Sequence, residues 1–463
     1  MTQWTQEPAH EIAKAVRNGA VTARQVAEQH LSLIAARNDG LRAFTDITAN
    51  RALAKADAID AAYAQGLKLP PLAGVPFAAK NLFDIAGLVT RAGAKINRDY
   101  APASADATLV ARMEAAGAVL LGALNMGVYA YDFTGRKAHD GHARNPHDTE
   151  RMTGGSSGGS GGAAAAGLAA ITLGSDTNGS IRVPASLCGL FGLKPIYGGL
   201  SRAGTFPFIA SLDHVGPLAR SVKDLALAYD AMRGADPLDP VCTNGTAEPV
   251  TPSLEGGLTG LRIKRAGGYF TRMGDSQAFA AVDTIARALG AEASIELPEA
   301  HRARAAAFII TMIEGSSLHR DRIRERPQDF DPEVRDRLIA GAMLPGDWYV
   351  KAQKFRRWYQ AEVMKLFQET DLILAPATPT SAPLVDQKTF VLDGQTLPVR
   401  PNLGIFTQPI SFIGLPVVAV PVWPAHGMPI GVQIIAAPGK EALALRAAHW
   451  LECQGIVQAK VAH

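Results

Sequence analysis

The sequence predicts an α/β fold, a sheet with parallel strands and helices on its faces. Three observations carry that expectation. Apolar runs at Gly74–Ala79, Val119–Leu121 and Ala169–Leu173 have the length and composition of buried strands. A helical pattern of Leu109, Val110, Met113 and Ala116 separates the first two, at the spacing of a βαβ unit. The chain has 463 residues, 47% of them hydrophobic and 19% charged, so it can bury a large core.

Taken in order, residues 7–65 read as helices. Ile12 and Val16, then Val26, Leu33 and Ile34, recur at helical spacing, and Thr22 with Gln25 has the form of a capping box. Gly66 and Pro70-Pro71 end this section. Residues 70–236 carry the chemistry. Their first strand ends on Lys80-Asn81, and the strand at Ala169–Leu173 leads into a polar turn and a helix with Pro184 near its start. Pro237–Thr259 reads as a surface connection. Leu261–Ile263 restarts a strand, and Phe279, Val282, Ile285 and Leu289 mark a helix. Residues 300–365 read as a helical, cap-like insertion, whose charges from Arg320 to Arg337 are expected on a solvated face. Residues 370–455 close the fold with strands at Leu372–Ala375, Val417–Val420 and Gly431–Ile435 and a final helix through Trp450. No repeat and no clean break divides the chain, so one domain over 1–463 is expected.

Charge and cysteine usage exclude several classes. A net charge of +3 with no Lys/Arg block argues against nucleic acid as a direct partner. Cys188, Cys242 and Cys453 are widely spaced, which suits a reducing compartment rather than a disulfide framework. Residues 1–14 lack the apolar run of a secretion signal, and no segment has the length of a membrane span. A cytoplasmic protein is the expectation.

The stretch from Met152 to Lys194 points to the chemistry. Gly154–Gly162 is an unbroken run of Gly and Ser. Such runs can be linkers, but this one passes into Ala163–Leu173 without a polar gap. A strand-like run, the turn Ser175-Asp176-Thr177-Asn178-Gly179-Ser180 and a helix start together make a place where backbone N–H groups converge on an anion. Amide cleavage needs such a place for its oxyanion, besides a nucleophile and a base. Ser160 satisfies G-x-S-x-G by letter, yet no apolar strand precedes it. There is no Ser-x-x-Lys and no phosphate-binding G-x-x-x-x-G-K-[ST]. Ser180 has the better setting, because the N–H groups of Thr177, Asn178, Gly179 and Ser180 can curl around one point. By position alone it reads more readily as a cap on the helix. Lys80 ends an apolar run, where burial favours the neutral, proton-accepting amine; from spacing alone it could also reach water. His139, His142 and His147 lie in a polar loop without the H-E-x-x-H order of a metal site, so a solvated loop is expected, with no metal and no cofactor.

Together, Val75–Asn81, Gly154–Gly159 and Asp176–Pro184 resemble the amidase signature family, in the right order and over nearly the whole chain. The resemblance implies the amidase signature fold, a central mixed, largely parallel β-sheet covered by helices on both faces. It also implies a Ser–cis-Ser–Lys triad. Carried over by motif, Ser180 is the nucleophile, Ser156 the bridging serine on a cis peptide and Lys80 the terminal base. Thr177 to Ser180 hold the oxyanion, and Ser157 is a supporting residue. Arg182 is expected to brace Asp176 or to orient an anionic substrate group.

Asn178, which stands where many members have Gly, together with Ala185–Pro195, Phe208–His214 and Arg326–Asp331, is similar to the branch of the family that cleaves 1-carboxybiuret. That resemblance implies a small carboxylated urea as substrate, ammonia as product, and a homodimer or heterotetramer with a small helical partner subunit. The loop Tyr131–His139 departs from that branch, with Asp132 where Gly is expected, and is expected to border the substrate pocket. Two other enzymatic readings share the triad: a general amidase of aryl or aliphatic amides, and the glutamine-hydrolysing subunit of an amidotransferase. A non-catalytic scaffold is disfavoured by the presence of Lys80, Ser156 and Ser180 together.

Overall fold

The computed structural model describes residues 2–136, 139–242 and 248–462. Helix α1 (Ala9–Arg17) buries Ile12, Ala13 and Val16, and α2 (Ala23–Leu41) starts at the Thr22–Gln25 capping box expected from the sequence. Pro8 offers α1 no side-chain cap. Asp224, distant in sequence, takes that role and accepts from the N–H groups of Ala9 and His10, each at 2.8 Å. Strand β1 (Phe44–Ile47) then interrupts the region read as wholly helical, before α3 (Ala49–Ala64). Four residues are too short to set a period, and β1 exists because it pairs antiparallel along an edge.

The predicted βαβ unit is present as β2 (Pro76–Lys80), α4 (Thr108–Ala115) and β3 (Val119–Leu124), with β2 and β3 parallel. The Gly/Ser run is not a loop throughout. From Gly158 it forms helix α5 (Gly158–Ala165), followed by β4 (Ile171–Ser175), which lies parallel to β2 on its other side. Close packing explains this composition. A Cβ at Gly159 would lie 2.5 Å from Ala43 O and from the backbone of Asn125, so the helix can dock there only without one. Ser160 faces β4 and donates to Leu173 O at 3.0 Å.

Next come α6 (Arg182–Leu187), β5 (Phe191–Lys194), β6 (Val215–Ala219) and α7 (Val222–Met232). Within the connection expected at 237–259, residues 243–247 lie outside the described residues. Strand β7 (Ile263–Ala266), α8 (Ser276–Ala288) and β8 (Ser294–Ile295) precede three helices, α9 (Ala300–Glu325), α10 (Pro332–Ala342) and α11 (Gly346–Leu366). The chain closes with β9 (Leu372–Pro376), the hairpin β10 (Thr389–Leu392) and β11 (Gln395–Pro398), and the short helices α12 (Val399–Asn402) and α13 (Gln408–Ser411). Strands β12 (Val417–Val422) and β13 (Ile430–Ala436) and helix α14 (Glu441–Cys453) complete it.

Among the described residues, eleven strands form one sheet in the order β1-β3-β2-β4-β6-β5-β12-β13-β9-β7-β8. The fold is α/β with a mixed sheet, as expected. Parallel pairing holds in two blocks, β3-β2-β4 and β9-β7-β8, whereas the centre from β4 to β9 is antiparallel. Parallel neighbours need a crossover, whereas β12 and β13 follow one another through a short antiparallel return. Every residue of β2, β3, β4, β9 and β13 is buried, so both faces of the sheet are covered in these strands. The carboxyl ends of the parallel neighbours β2 and β4 lie side by side, and there the chemistry-bearing residues gather.

Candidate active site

Lys80 is the last residue of β2 and is fully buried. Its ammonium position is surrounded by serine hydroxyls, Ser156 Oγ at 2.7 Å, Ser175 Oγ at 2.8 Å and Ser157 Oγ at 3.0 Å. Burial lowers its pKa from 10.5 to about 7, against the opposing pull of Asp213 and Asp176. A lysine in this setting is neutral in a large fraction of molecules near neutral pH. Ser157 is fully occupied: it accepts from Lys80 and Ser175 N and donates to Ser175 O at 3.2 Å. Ser156 Oγ bonds only Lys80 among the described residues, so its proton remains available. The Gly155–Ser156 peptide is cis, as the resemblance implies.

The turn after β4 presents donors. Among the described residues, the backbone N–H groups of Thr177, Asn178, Gly179 and Ser180 donate to nothing in the chain. Buried N–H groups are rarely left unpaired, and four in succession make a site ready for negative charge. Gly179 has φ +145°, and a Cβ there would collide with Thr407 Oγ1. Asp176 holds the turn from behind. Its carboxylate accepts from Ile181 N at 3.2 Å, Arg182 Nε at 3.0 Å and Arg182 Nη2 at 2.9 Å. Burial raises the Asp176 pKa, but Arg182 overrides this and the net shift is well downward. Arg182 is itself fully buried and also donates to Gln433 Oε1 at 2.6 Å and Thr407 O at 3.2 Å. The structure places Arg182 against Asp176 rather than in the pocket.

Ser180 Oγ makes no hydrogen bond among the described residues and lines a narrow pocket of about 20 Å³, together with Thr177 and Asn178. Asp132 lines the same pocket, 3.1 Å from Arg400 and accepting from Thr134 Oγ1 at 2.8 Å. Lys137 and Ala138 of its loop lie outside the described residues. Thr177 turns its side chain away and donates to Asp213 Oδ1 at 2.6 Å.

The structure brings together residues the sequence reading did not single out. Ser175 was legible only as part of a polar turn, yet it holds Lys80. Arg337 was assigned to a solvated helix face. Its neighbours Arg320, Asp321 and Asp336 are exposed, but Arg337 lines the pocket with its guanidinium 5.3 Å from the Tyr131 ring centroid. Arg337 has no ion pair or hydrogen bond among the described residues. Burial and Arg400 lower its pKa, and it remains a cation facing the pocket. Gln408 of α13 also lines it. A change of helix azimuth over one turn separates solvent from pocket, and the charge pattern alone does not register that.

The family model described as Amidase matches residues 25–445. The chain is 55% identical over 452 residues to AtzE, the 1-carboxybiuret hydrolase subunit of Pseudomonas sp. (strain ADP), covering 97% of this chain and 99% of that one. It is 36% identical to a glutamyl-tRNA(Gln) amidotransferase subunit of Koribacter versatilis (strain Ellin345), covering 95% and 96%. A solved structure described as an unexpected vestigial protein complex revealing the origins of an s-triazine catabolic enzyme superposes with TM-score 0.97. It is 54% identical and covers 98% of this chain and 100% of that chain.

Proposed function

Since the chain belongs to the amidase family and is an amidohydrolase of small linear amides, we propose that it cleaves a carboxylated urea of the 1-carboxybiuret type through a Ser180 acyl-enzyme. The observation that carries the chemistry is the buried Lys80–Ser156 contact, together with a Ser180 hydroxyl and four backbone N–H groups that are unbonded among the described residues. Neutral Lys80 takes the proton of Ser156, which takes that of Ser180. Ser180 Oγ attacks the terminal carbamoyl carbon, and the oxyanion is held by the N–H groups of residues 177–180. The C–N bond breaks, the departing nitrogen receives the proton from Lys80 through Ser156, and ammonia leaves. Water then attacks the acyl carbon with its proton taken by the same relay, and the acid departs from Ser180.

The substrate class is supported by Arg337, a guanidinium at the pocket wall with no ion pair among the described residues, which suits a terminal carboxylate, and by the likeness to the hydrolase subunit. The helices of residues 300–365 act as the cap that brings this cation over the site. A homodimer, or a heterotetramer with a small helical partner subunit, completes the reading, in a cytoplasmic setting consistent with three free thiols. Among the described residues no helix is long and apolar enough to cross a membrane.

The test is ammonia release by the purified chain, alone and with a candidate small subunit. The panel is 1-carboxybiuret, biuret, allophanate, malonamate, glutamine and an aryl amide. Turnover confined to the carboxylated ureas supports the reading. Preference for glutamine would move the chain to the amidotransferase class, and preference for aryl amides would make it a general amidase.

A further inference from the structure

The pocket beside Ser180 contains two buried amide atoms that the chemistry above leaves unused. Asn178 donates through Nδ2 to Thr311 Oγ1 at 3.0 Å, which leaves its Oδ1 buried without a partner among the described residues. Gln408 accepts through Oε1 from Arg304 Nε at 2.9 Å. A guanidinium has donors only, so this contact fixes which end of the Gln408 amide faces Arg304. Its Nε2 is left buried without a partner among the described residues. Gln408 is 0% exposed and Asn178 7%, and both line the pocket with Ser180. Unpaired buried amide atoms are costly and uncommon, and an acceptor and a donor in one pocket call for a ligand carrying both groups. The separation of the two amides is set by structure rather than by a free loop, because Thr407 Oγ1 donates to Asn178 O at 2.7 Å.

We propose that Asn178 Oδ1 and Gln408 Nε2 form a subsite that reads a ureido unit of the substrate. Asn178 Oδ1 accepts from its N–H and Gln408 Nε2 donates to its carbonyl. This rests on the functional reading above and deepens it. With the scissile carbamoyl group at Ser180 and the carboxylate at Arg337, the middle of a carboxylated biuret spans the pocket these two side chains line. A methylene chain of equal length satisfies neither atom, so the pair discriminates ureas from ordinary carboxamides.

The experiment compares kcat/KM for 1-carboxybiuret and glutaramate, which keeps the length between carboxylate and carboxamide but has methylenes in place of the ureido atoms. It uses wild type, Gln408→Glu and Asn178→Leu. Gln408→Glu retains the acceptor for Arg304 and removes the donor, and the charge it adds acts on both substrates alike because each carries a carboxylate. The expected result is a wild-type ratio favouring 1-carboxybiuret that falls about tenfold to a hundredfold in each variant. A purely structural role would lower both substrates together and leave the ratio unchanged. A ratio within about twofold of wild type in the variants overturns the subsite. If Asn178→Leu does not fold, Gln408→Glu decides alone. Wild-type turnover of 1-carboxybiuret with an unchanged variant ratio defeats the subsite only. Absence of wild-type turnover of any carboxylated urea defeats the functional reading and the subsite with it.

Discussion

Replacement of Lys80 by Met tests the electrostatics of the site through stability as well as through rate. Burial brings the Lys80 pKa from 10.5 to about 7. That shift of 3.5 units corresponds to a cost on the order of 5 kcal/mol for holding the charged form in the fold. The full cost is present below pH 7, where folded and unfolded chains both carry the proton. As pH rises from 7 toward 10.5, the folded amine is neutral while the unfolded one still binds a proton, so stability increases with pH. Lys80→Met removes this dependence and also three hydrogen bonds to serines, worth about 1 kcal/mol each. The variant is therefore expected to be about 2 kcal/mol more stable than wild type below pH 7, and about 2 kcal/mol less stable near pH 10. Urea denaturation of both proteins at each pH from 6 to 10 measures the difference, in which Lys194 and the other titrating groups cancel. A difference that stays constant over this range would refute the neutral-lysine argument. In wild type the same titration places the acid limb of kcat/KM near pH 7, with about a tenfold loss per pH unit below it. The variant should lose at least about a thousandfold in kcat, because the triad acts as a unit.

Other outcomes follow from the same contacts. Ser180→Ala should abolish ammonia release while shifting the urea midpoint by less than about 0.5 kcal/mol equivalent, since its hydroxyl bonds nothing among the described residues; residual turnover above a hundredth of wild type would move the nucleophile elsewhere. Arg337→Leu should raise KM for carboxylated amides about tenfold to a hundredfold and leave an uncharged amide such as butyramide within about threefold, read by steady-state kinetics. Arg182→Met leaves Asp176 charged and unpaired in the core and should cost about 3–5 kcal/mol in denaturant unfolding. A loss below about 1 kcal/mol would mean that Asp176 is not held as an ion.

Much of the fold was legible because its signals are local. The capping box at Thr22, the βαβ unit around α4 and the closing strands β12 and β13 were all readable from period and run length. What escaped reading depends on distant partners. Strand β1 is a strand because β3 offers it an edge, and α5 is helical with this glycine content because the Asn125 backbone sits against Gly159. The antiparallel centre of the sheet is set by strand order, which no local pattern encodes. At the site, Lys80, Ser156 and Ser180 stand out through motif, whereas Ser175, Arg337 and Gln408 do not, because what each of them faces is set by the fold.

From the sequence alone came the fold class, the family and the residues able to carry amide chemistry, since apolar period, glycine runs and motif spacing are properties of neighbouring residues. The tertiary structure decided how those residues behave. Lys80 is drawn toward its neutral form because the fold removes water from it, and Asp176 stays charged because Arg182 is brought against it. Arg337 becomes a pocket cation because α10 turns that one azimuth inward, toward Ser180. Desolvation and charge pairing act through space between residues far apart in the chain, and only the folded chain fixes those distances.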